Sequence, residues 1–480
     1  MGNTVSEEPT ALRPAGSLAE ESIRAFRKKL AGIVLCPGDE GYEKTRHVWN
    51  GIIDRHPAVI ARCASESDVI TAVNFARVNQ LLVAVRGGGH NVAGHGTCDH
   101  GLVIDLSLMK GIEVDPHHLL ARADGGVLWK ELDKATQVYG LATPGGLYSE
   151  TGIAGLTLGG GFGWLRNKFG LSCDNLVSAR VVTADGRLVT TSAVENSDLL
   201  WGLRGGGGNF GIVTRFEYRL HPVGPEVMFC FVFHPGEKLE EGFRFYRDFS
   251  TSSPDEVSSV AFSGIIPPGS EAFPEELHGK AYLAFGACYI GSVEEGKRVL
   301  QPLRDFTQPL IDFSGVMPYV DVQAAFDADY PAGVMRYYWK SLNLTSLSDE
   351  AITRLARHAR KQPSAHSTTD LWHIGGAVRR VNPDESAFFG REAVFLLNPE
   401  ANWENPAEDN ENITWAREFV EDMQDFSDGS RYLNFAGFQE EGSELIRKGY
   451  GSQFERLAIL KKKYDPTNFF KLNQNIVPGS

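Results

Sequence analysis

Residues 201–220 read WGLRGGGGNFGIVTRFEYRL, and the choice of fold turns on this stretch. It holds a formal G-x-G-x-x-G at Gly206, Gly208 and Gly211. A dinucleotide-binding Rossmann unit needs a strand before that motif and a helix after it, so that the helix N-terminus meets the pyrophosphate. Here the order is reversed. A short helical pattern precedes the glycines, and IVTRFEYRL alternates apolar and polar residues as a half-buried strand does. The Rossmann reading is rejected, and the glycines need another use.

Two further clusters point to that use. Arg86-Gly87-Gly88-Gly89-His90-Asn91 follows the apolar strand LLVAV, with Gly94, His95 and Gly96 just beyond. The second cluster, residues 145–164, reads GGLYSETGIAGLTLGGGFGW. Nineteen of the 52 glycines fall in these three places, which tight turns alone would not produce. Bare amides at a strand end form an anion nest, and backbone without Cβ atoms can lie against a large flat ligand. Together the clusters predict a cradle.

The remaining pattern is α+β. A capping box at Ser17 and Glu20 opens a helix with Leu18, Ile23, Phe26 and Leu30 at helical spacing. Strands are expected at 58–63, 81–85 and 102–106, with a helix over 66–79 between the first two. A helix over 127–139 ends at Gly140. Residues 176–183 and 188–191 read as a hairpin about Asp185-Gly186. Beyond Pro222 antiparallel strands are expected at 227–233, 280–290 and 334–344, with helices at 239–249 and 349–361. The chain closes with a helix at 452–464. These boundaries divide it into an N-terminal helical segment (1–49), a first domain (50–222), a second domain (223–430) and a C-terminal return to the first (431–480).

Composition excludes several classes. The chain is 42% hydrophobic and 22% charged, which is globular, and no apolar run is long enough to span a bilayer. Sixty-one acids against 47 bases give a net charge of −14, so nucleic acid is not an expected partner. Six cysteines without a C-x-x-C pair argue against a disulfide scaffold and a metal site. No apolar leader is visible at the N-terminus, and a cytoplasmic location is expected. Gly2 and Ser6 fit an N-myristoylation pattern that matters only in a eukaryote.

The long motifs RGGGHN, TGIAGLTLGGGFGW, DNLVSARVVTADG and LLWGLRGGGGNFGIVT closely resemble the FAD-binding domain of the p-cresol methylhydroxylase and vanillyl alcohol oxidase superfamily. RYLNFAG and KKKYDPTNFFKLNQNI are similar to its berberine-bridge-enzyme-like branch. The resemblance implies a two-subdomain FAD-binding domain, plus a substrate domain whose antiparallel sheet is covered by helices. It places FAD against Arg86, Gly87, Gly88, Gly89, His90, Asn91, Gly94 and His95 of the first motif. From the second it takes Gly146, Tyr148, Thr151, Gly152, Gly155, Leu156, Thr157, Gly160, Gly161 and Trp164. Asn175, Gly211, Ile212, Val213, Tyr432, Asn434, Asn473 and Asn475 complete the set. The side chains of His95, His117 and His118 are read as structural or solvated rather than as ligands.

In that family the histidine of GGGH is bonded to the flavin 8α-methyl, which implies covalent FAD through His90. Many members add a second bond from a cysteine. Tyr148 stands at that position here, which implies single linkage. Thr151 falls where the residue over flavin N5 and C4a controls oxygen access, and its small side chain favours an oxidase.

Oxidation by a flavin removes a hydride from carbon while a base takes a proton from O–H or N–H. Tyr432, beside Asn434, matches the family's Tyr-x-Asn motif. Tyr338 shares a strand face with Arg336 and Lys340, and His373 is a third candidate base; the sequence does not choose among them. The implied activity is oxidation of an alcohol, amine or phenolic or polyketide-like small molecule, with reoxidation by O2 to H2O2, by a monomer or homodimer. Flavin-dependent cyclisation or rearrangement in secondary metabolism, carbohydrate oxidation, and a non-enzymatic flavoprotein are the alternatives.

Overall fold

The computed structural model describes residues 18–438 and 443–479. The Ser17 capping box and the Gly2–Ser6 pattern lie outside the described residues. The helix they precede runs Glu20–Lys29 and buries Phe26.

The alternating modules near the N-terminus form a four-stranded sheet. Its order is Ile33–Leu35, Val59–Arg62, Leu102–Asp105, Val83–Arg86, and the last three strands are parallel. Helix Glu66–Asn79 makes the crossover from Val59–Arg62 to Val83–Arg86. The Ser65 hydroxyl accepts the Asp68 amide at its start, and Val69, Val73 and Ala76 are buried. The first glycine cluster therefore leaves the carboxyl end of a parallel strand, where open α/β sheets present their ligand sites.

A five-stranded antiparallel sheet follows, in the order Ile112–Asp115, Leu120–Asp124, Ile212–Arg219, Leu176–Val182, Leu188–Thr191. The hairpin about Asp185-Gly186 forms as expected, with Gly186 left-handed at φ 80°. Ile212–Arg219 is the central strand, and this is why the third glycine cluster cannot open a helix. The helix expected over 127–139 is shorter, Trp129–Gln137. Its start is set where the Leu128 amide donates to Glu131 at 2.7 Å.

The middle of the chain builds a nine-stranded antiparallel sheet. Along it run Ile311–Asp312, Glu226–Pro235, Ala281–Tyr289, Val257–Ile265, Thr368–His373, Phe395–Trp403 and Arg336–Trp339. The strand expected over 334–344 is two pieces, Arg336–Trp339 and Leu342–Leu344, both paired to Phe395–Trp403. The break falls where Asn398 Nδ2 takes the Lys340 carbonyl at 2.8 Å and the Ser341 hydroxyl turns to the Tyr432 carbonyl at 3.0 Å. Helices Leu239–Ser252, Asp349–Ala359 and Asp409–Asp422 cover one face, packing Phe243, Leu355 and Phe419 on Leu371 and Leu397. The other face packs Phe229, Val260, Trp372 and Leu396 against Trp164 and Leu165 of the second glycine cluster's neighbourhood.

The C-terminal helix is Phe454–Tyr464, starting after a 3-10 turn at Gly451–Gln453. Lys461, fully buried, donates to Asp465 and to the carbonyls of Asn209 and Phe470, each at 2.8 Å. This ties the closing segment to the third glycine cluster. Among the described residues no helix is long and apolar enough to cross a membrane.

Candidate flavin site

The three glycine clusters, the closing segment and the inner face of the large sheet enclose one cavity of about 300 Å³. Glycine is required where the first two clusters meet. A Cβ on Gly88 would stand 2.4 Å from the Gly152 nitrogen, and one on Gly152 would stand 2.4 Å from the Gly88 nitrogen. Gly155 and Gly208 line the cavity with nothing within 4 Å of where a Cβ would be. Among the described residues the amides of Gly88, Gly89 and His90 donate to no other backbone carbonyl outside regular elements. Open amides at a strand end suit a pyrophosphate, and the bare glycine walls suit a planar ring. Orphaned polar atoms at Asn473 and Gln474, both on the cavity wall, also await a partner. The donor set fits FAD.

His90 stands in this wall, half-buried with its free edge toward the cavity. Trp49 is stacked on its imidazole at 4.1 Å and also on the Tyr337 ring at 3.8 Å. The Trp49 amide donates to the Gly89 carbonyl, and its indole N–H donates to the Tyr330 carbonyl at 3.0 Å. Desolvation pushes the His90 pKa down to about 3, so the ring is neutral. Tyr148 lies 5.5 Å from it, its hydroxyl buried and without a hydrogen-bond partner.

Most of the residues assigned from sequence meet here. Arg86, Asn91, His95, Gly146, Tyr148, Thr151, Leu156, Gly211, Ile212, Val213, Tyr432, Asn434 and Asn473 all line the cavity beside the glycines named above. Arg86 contributes its stem, because its guanidinium is committed to Asp105 at 2.8 Å and to the His47 carbonyl.

Seven residues stand outside the wall and serve to shape it. Gly94, Gly160 and Gly161 make left-handed turns. Thr157 bonds the Tyr218 hydroxyl at 2.8 Å. Trp164 packs on Phe229 at the join with the large sheet. Asn175 donates to the carbonyls of Phe169 and Leu171. Asn475, the seventh, is also not part of the wall.

The candidate bases need correction. Strand alternation puts Tyr338 and His373 on the helix-covered face of the large sheet, away from the cavity. The Tyr338 hydroxyl accepts from Arg417 at 2.8 Å, and Arg336 is bound by Asp409. The His373 ring is buried beside Asn167, and burial pushes its pKa down to about 3. Tyr432 does line the cavity. Its hydroxyl accepts from Asn434 at 2.8 Å and from the Gly161 amide at 3.0 Å, and burial pushes it up to about 12. The two N–H donors pull the other way, since both favour the phenolate.

Sequence reading missed the carboxyl pair Asp370 and Glu400. They sit on adjacent strands, in the diagonal relation set by the pairs Thr368–Glu400 and Asp370–Asn398, on the cavity face. They are 2% and 3% exposed. Tyr330 donates to Glu400 at 2.7 Å, and one Asp370 oxygen has no partner. Burial raises both carboxyls, and the charge of Asp370 raises Glu400 further. Around them stand Tyr148, Tyr330, Trp339, Trp372 and Phe435. The one charged residue in the strand FLLNPEANW was the available signal for Glu400.

Comparison with known proteins gives the family. A family model described as an FAD binding domain matches residues 57–192, and one described as berberine and berberine like matches 431–477. An FAD-linked oxidoreductase of Dictyostelium discoideum is 31% identical over 96% of this chain and 98% of its own. The (R)-6-hydroxynicotine oxidase of Paenarthrobacter nicotinovorans is 30% identical over 94% of this chain and 97% of its own. The crystal structure of 6-hydroxy-D-nicotine oxidase from Arthrobacter nicotinovorans superposes with a TM-score of 0.83 at 28% identity, covering 94% of this chain and 98% of that one. With those motifs, that cradle and relatives matched end to end, the chain belongs to the berberine-bridge-like branch of the FAD-linked oxidoreductases.

Proposed function

We propose that the chain is an oxidase carrying FAD through a single covalent bond at His90, and that the Asp370–Glu400 pair is its catalytic base. The observation that carries the reading is one cavity with a neutral histidine in its glycine-lined wall and two buried carboxyls on its large-sheet face. Bound there, FAD supplies a two-electron acceptor for the hydride leaving a substrate carbon and returns the electrons to O2 as H2O2.

The chain's own residues do the rest. Gly88, Gly152 and Gly155 let the backbone approach the cofactor. Trp49 holds the His90 ring flat against one direction of approach. The aromatic walls exclude water, and the pair takes the proton from the substrate O–H or N–H. A base must be within hydrogen-bond reach of that proton and titrate near the working pH; raised carboxyls meet the second condition.

Single linkage is supported by the lining: among the described residues no cysteine faces the cavity, and Tyr148 stands in the wall 5.5 Å from His90. The flavin on the denatured chain should therefore fluoresce without prior oxidation, because a thioether at C6 would quench it. A dark band that brightens only on oxidation contradicts this.

Trp49→Leu removes the stack on His90 while leaving the glycine cradle. The expected result is a several-fold lower fraction of chain-bound flavin after expression, with dissociable FAD still present. An unchanged fraction shows that the stack does not orient the ring.

Thr151 lines the cavity one residue before Gly152. Thr151→Leu should slow reoxidation of the reduced flavin several-fold and change anaerobic reduction less. Stopped-flow traces of the two half-reactions check this; equal slowing, or none, removes Thr151 from oxygen access.

A further inference from the structure

We propose that Asp370 and Glu400, with Tyr148, Tyr330, Trp339 and Trp372, form a cation-binding subsite that takes the protonated amine of an apolar, largely aromatic substrate. This rests on the proposed reading in which the pair faces the reacting end of the substrate.

Two carboxyls from neighbouring strands share the large-sheet face of the cavity, each almost fully buried. The groups that face them are also acidic or neutral. Asp327 and Asp329 lie on the adjoining loop, and the phenols of Tyr148, Tyr282, Tyr330 and Tyr337 are all raised by burial. Asp327 is already engaged by the Ser149 amide at 2.9 Å.

Among the described residues Arg86 is the only arginine or lysine on the cavity wall, and its guanidinium is spent on Asp105. Arg166 stacks over Trp372 at 5.4 Å but gives its N–H groups to the carbonyls of Gly163, Ser259 and His373. Lys340 follows the last residue of its strand, Trp339, and is not on the cavity wall.

A buried carboxylate without a cation or full hydrogen bonding is costly, and two together are more so. Yet Asp370 lines this cavity, and among the described residues its Oδ1 has no hydrogen-bond partner, Thr368 being the one side chain that eases its carboxyl. A ligand cation supplies what is missing. It permits ionisation, and it forms a charge-assisted hydrogen bond with the unpartnered oxygen.

The walls point the same way. Tyr148 meets Tyr330 edge-on at 4.7 Å, and Tyr330 meets Trp339 edge-on at 5.8 Å. Aromatic faces around a carboxylate attract ammonium groups and also bury an apolar body. A carboxylic acid substrate would meet only like charge. A neutral alcohol would bring no positive charge to the pair.

The chemistry balances. The bound ammonium passes one N–H proton to a carboxylate of the pair. The freed lone pair would then form the C=N bond as a hydride leaves the carbon, for which bound FAD would supply the two-electron acceptor. The product would leave as an iminium cation that water hydrolyses.

Calorimetric titration of the full chain tests this without requiring turnover. The probes are benzyltrimethylammonium and its neutral isostere neopentylbenzene. The expected result is that the cation binds at least about tenfold more tightly. Its affinity should also rise between about pH 6 and about pH 9, because binding releases a proton from the pair. Asp370→Asn combined with Glu400→Gln should erase the preference. The pH dependence in the unaltered chain stands as evidence even where that variant folds poorly. Equal affinity for the two probes, binding of neither, or a pH-independent preference overturns the proposal. A chain that shows the cation preference but holds no flavin leaves this subsite standing and overturns the functional reading instead.

Discussion

A Glu400→Gln variant is expected to reduce its flavin about 10²- to 10⁴-fold more slowly than the unaltered chain, the usual worth of a positioned base. The amide keeps the volume and can still accept from the Tyr330 hydroxyl, so the change falls on proton transfer and not on packing. Asp370→Asn should cost a similar factor. The double variant should lose little more, since groups acting as a unit are far from additive.

The pH dependence has a definite sign. Burial and mutual charge raise both carboxyls, and the base works deprotonated. The reduction rate should therefore climb with pH well above the ordinary carboxylate range near about 4, and this rise should vanish in the double variant. Anaerobic stopped-flow reduction by whichever amine or alcohol reduces the unaltered chain provides the measurement. A Glu400→Gln variant that reduces at the full rate rules the pair out as the base.

The second large effect is at His90. In His90→Ala the flavin fluorescence that travels with the denatured chain should disappear entirely. FAD held by the glycine loops should remain until the chain is unfolded, because Gly88, Gly152 and Gly155 are untouched. His95→Ala is the control: His95 also lines the cavity and is also neutral, with its pKa pushed down to about 4, yet the assigned bond is not at that position. A fluorescent band that persists in His90→Ala, or that is lost in His95→Ala, reassigns the attachment.

The cradle was legible in the sequence for a physical reason. A glycine whose Cβ would collide with another loop leaves a mark in composition, and Gly88, Gly152 and Gly163 all do so. The hairpin at Asp185-Gly186 and the helix Glu66–Asn79 were legible because each combines local turn or cap chemistry with the right period.

The substrate end was not legible, because both faces of the large sheet are buried. In MRYYWKSL, Tyr338 packs under helices and Trp339 lines the cavity, so no polar alternation distinguishes the two faces. The same parity separates His373 from Asp370, three residues earlier. Asp370, Glu400, Tyr330 and Trp49 come singly from four distant segments, and only the packing of the large sheet against the N-terminal part of the chain brings them together.

The central claim is that His90 holds the cofactor, and the most direct measurement is mass spectrometry of a proteolytic digest of the yellow, unfolded protein. The peptide containing His90 should carry the mass of FAD, with the bond on its imidazole and every cysteine-containing peptide unmodified. An unmodified His90 peptide, with all the flavin released into solution on unfolding, would contradict it.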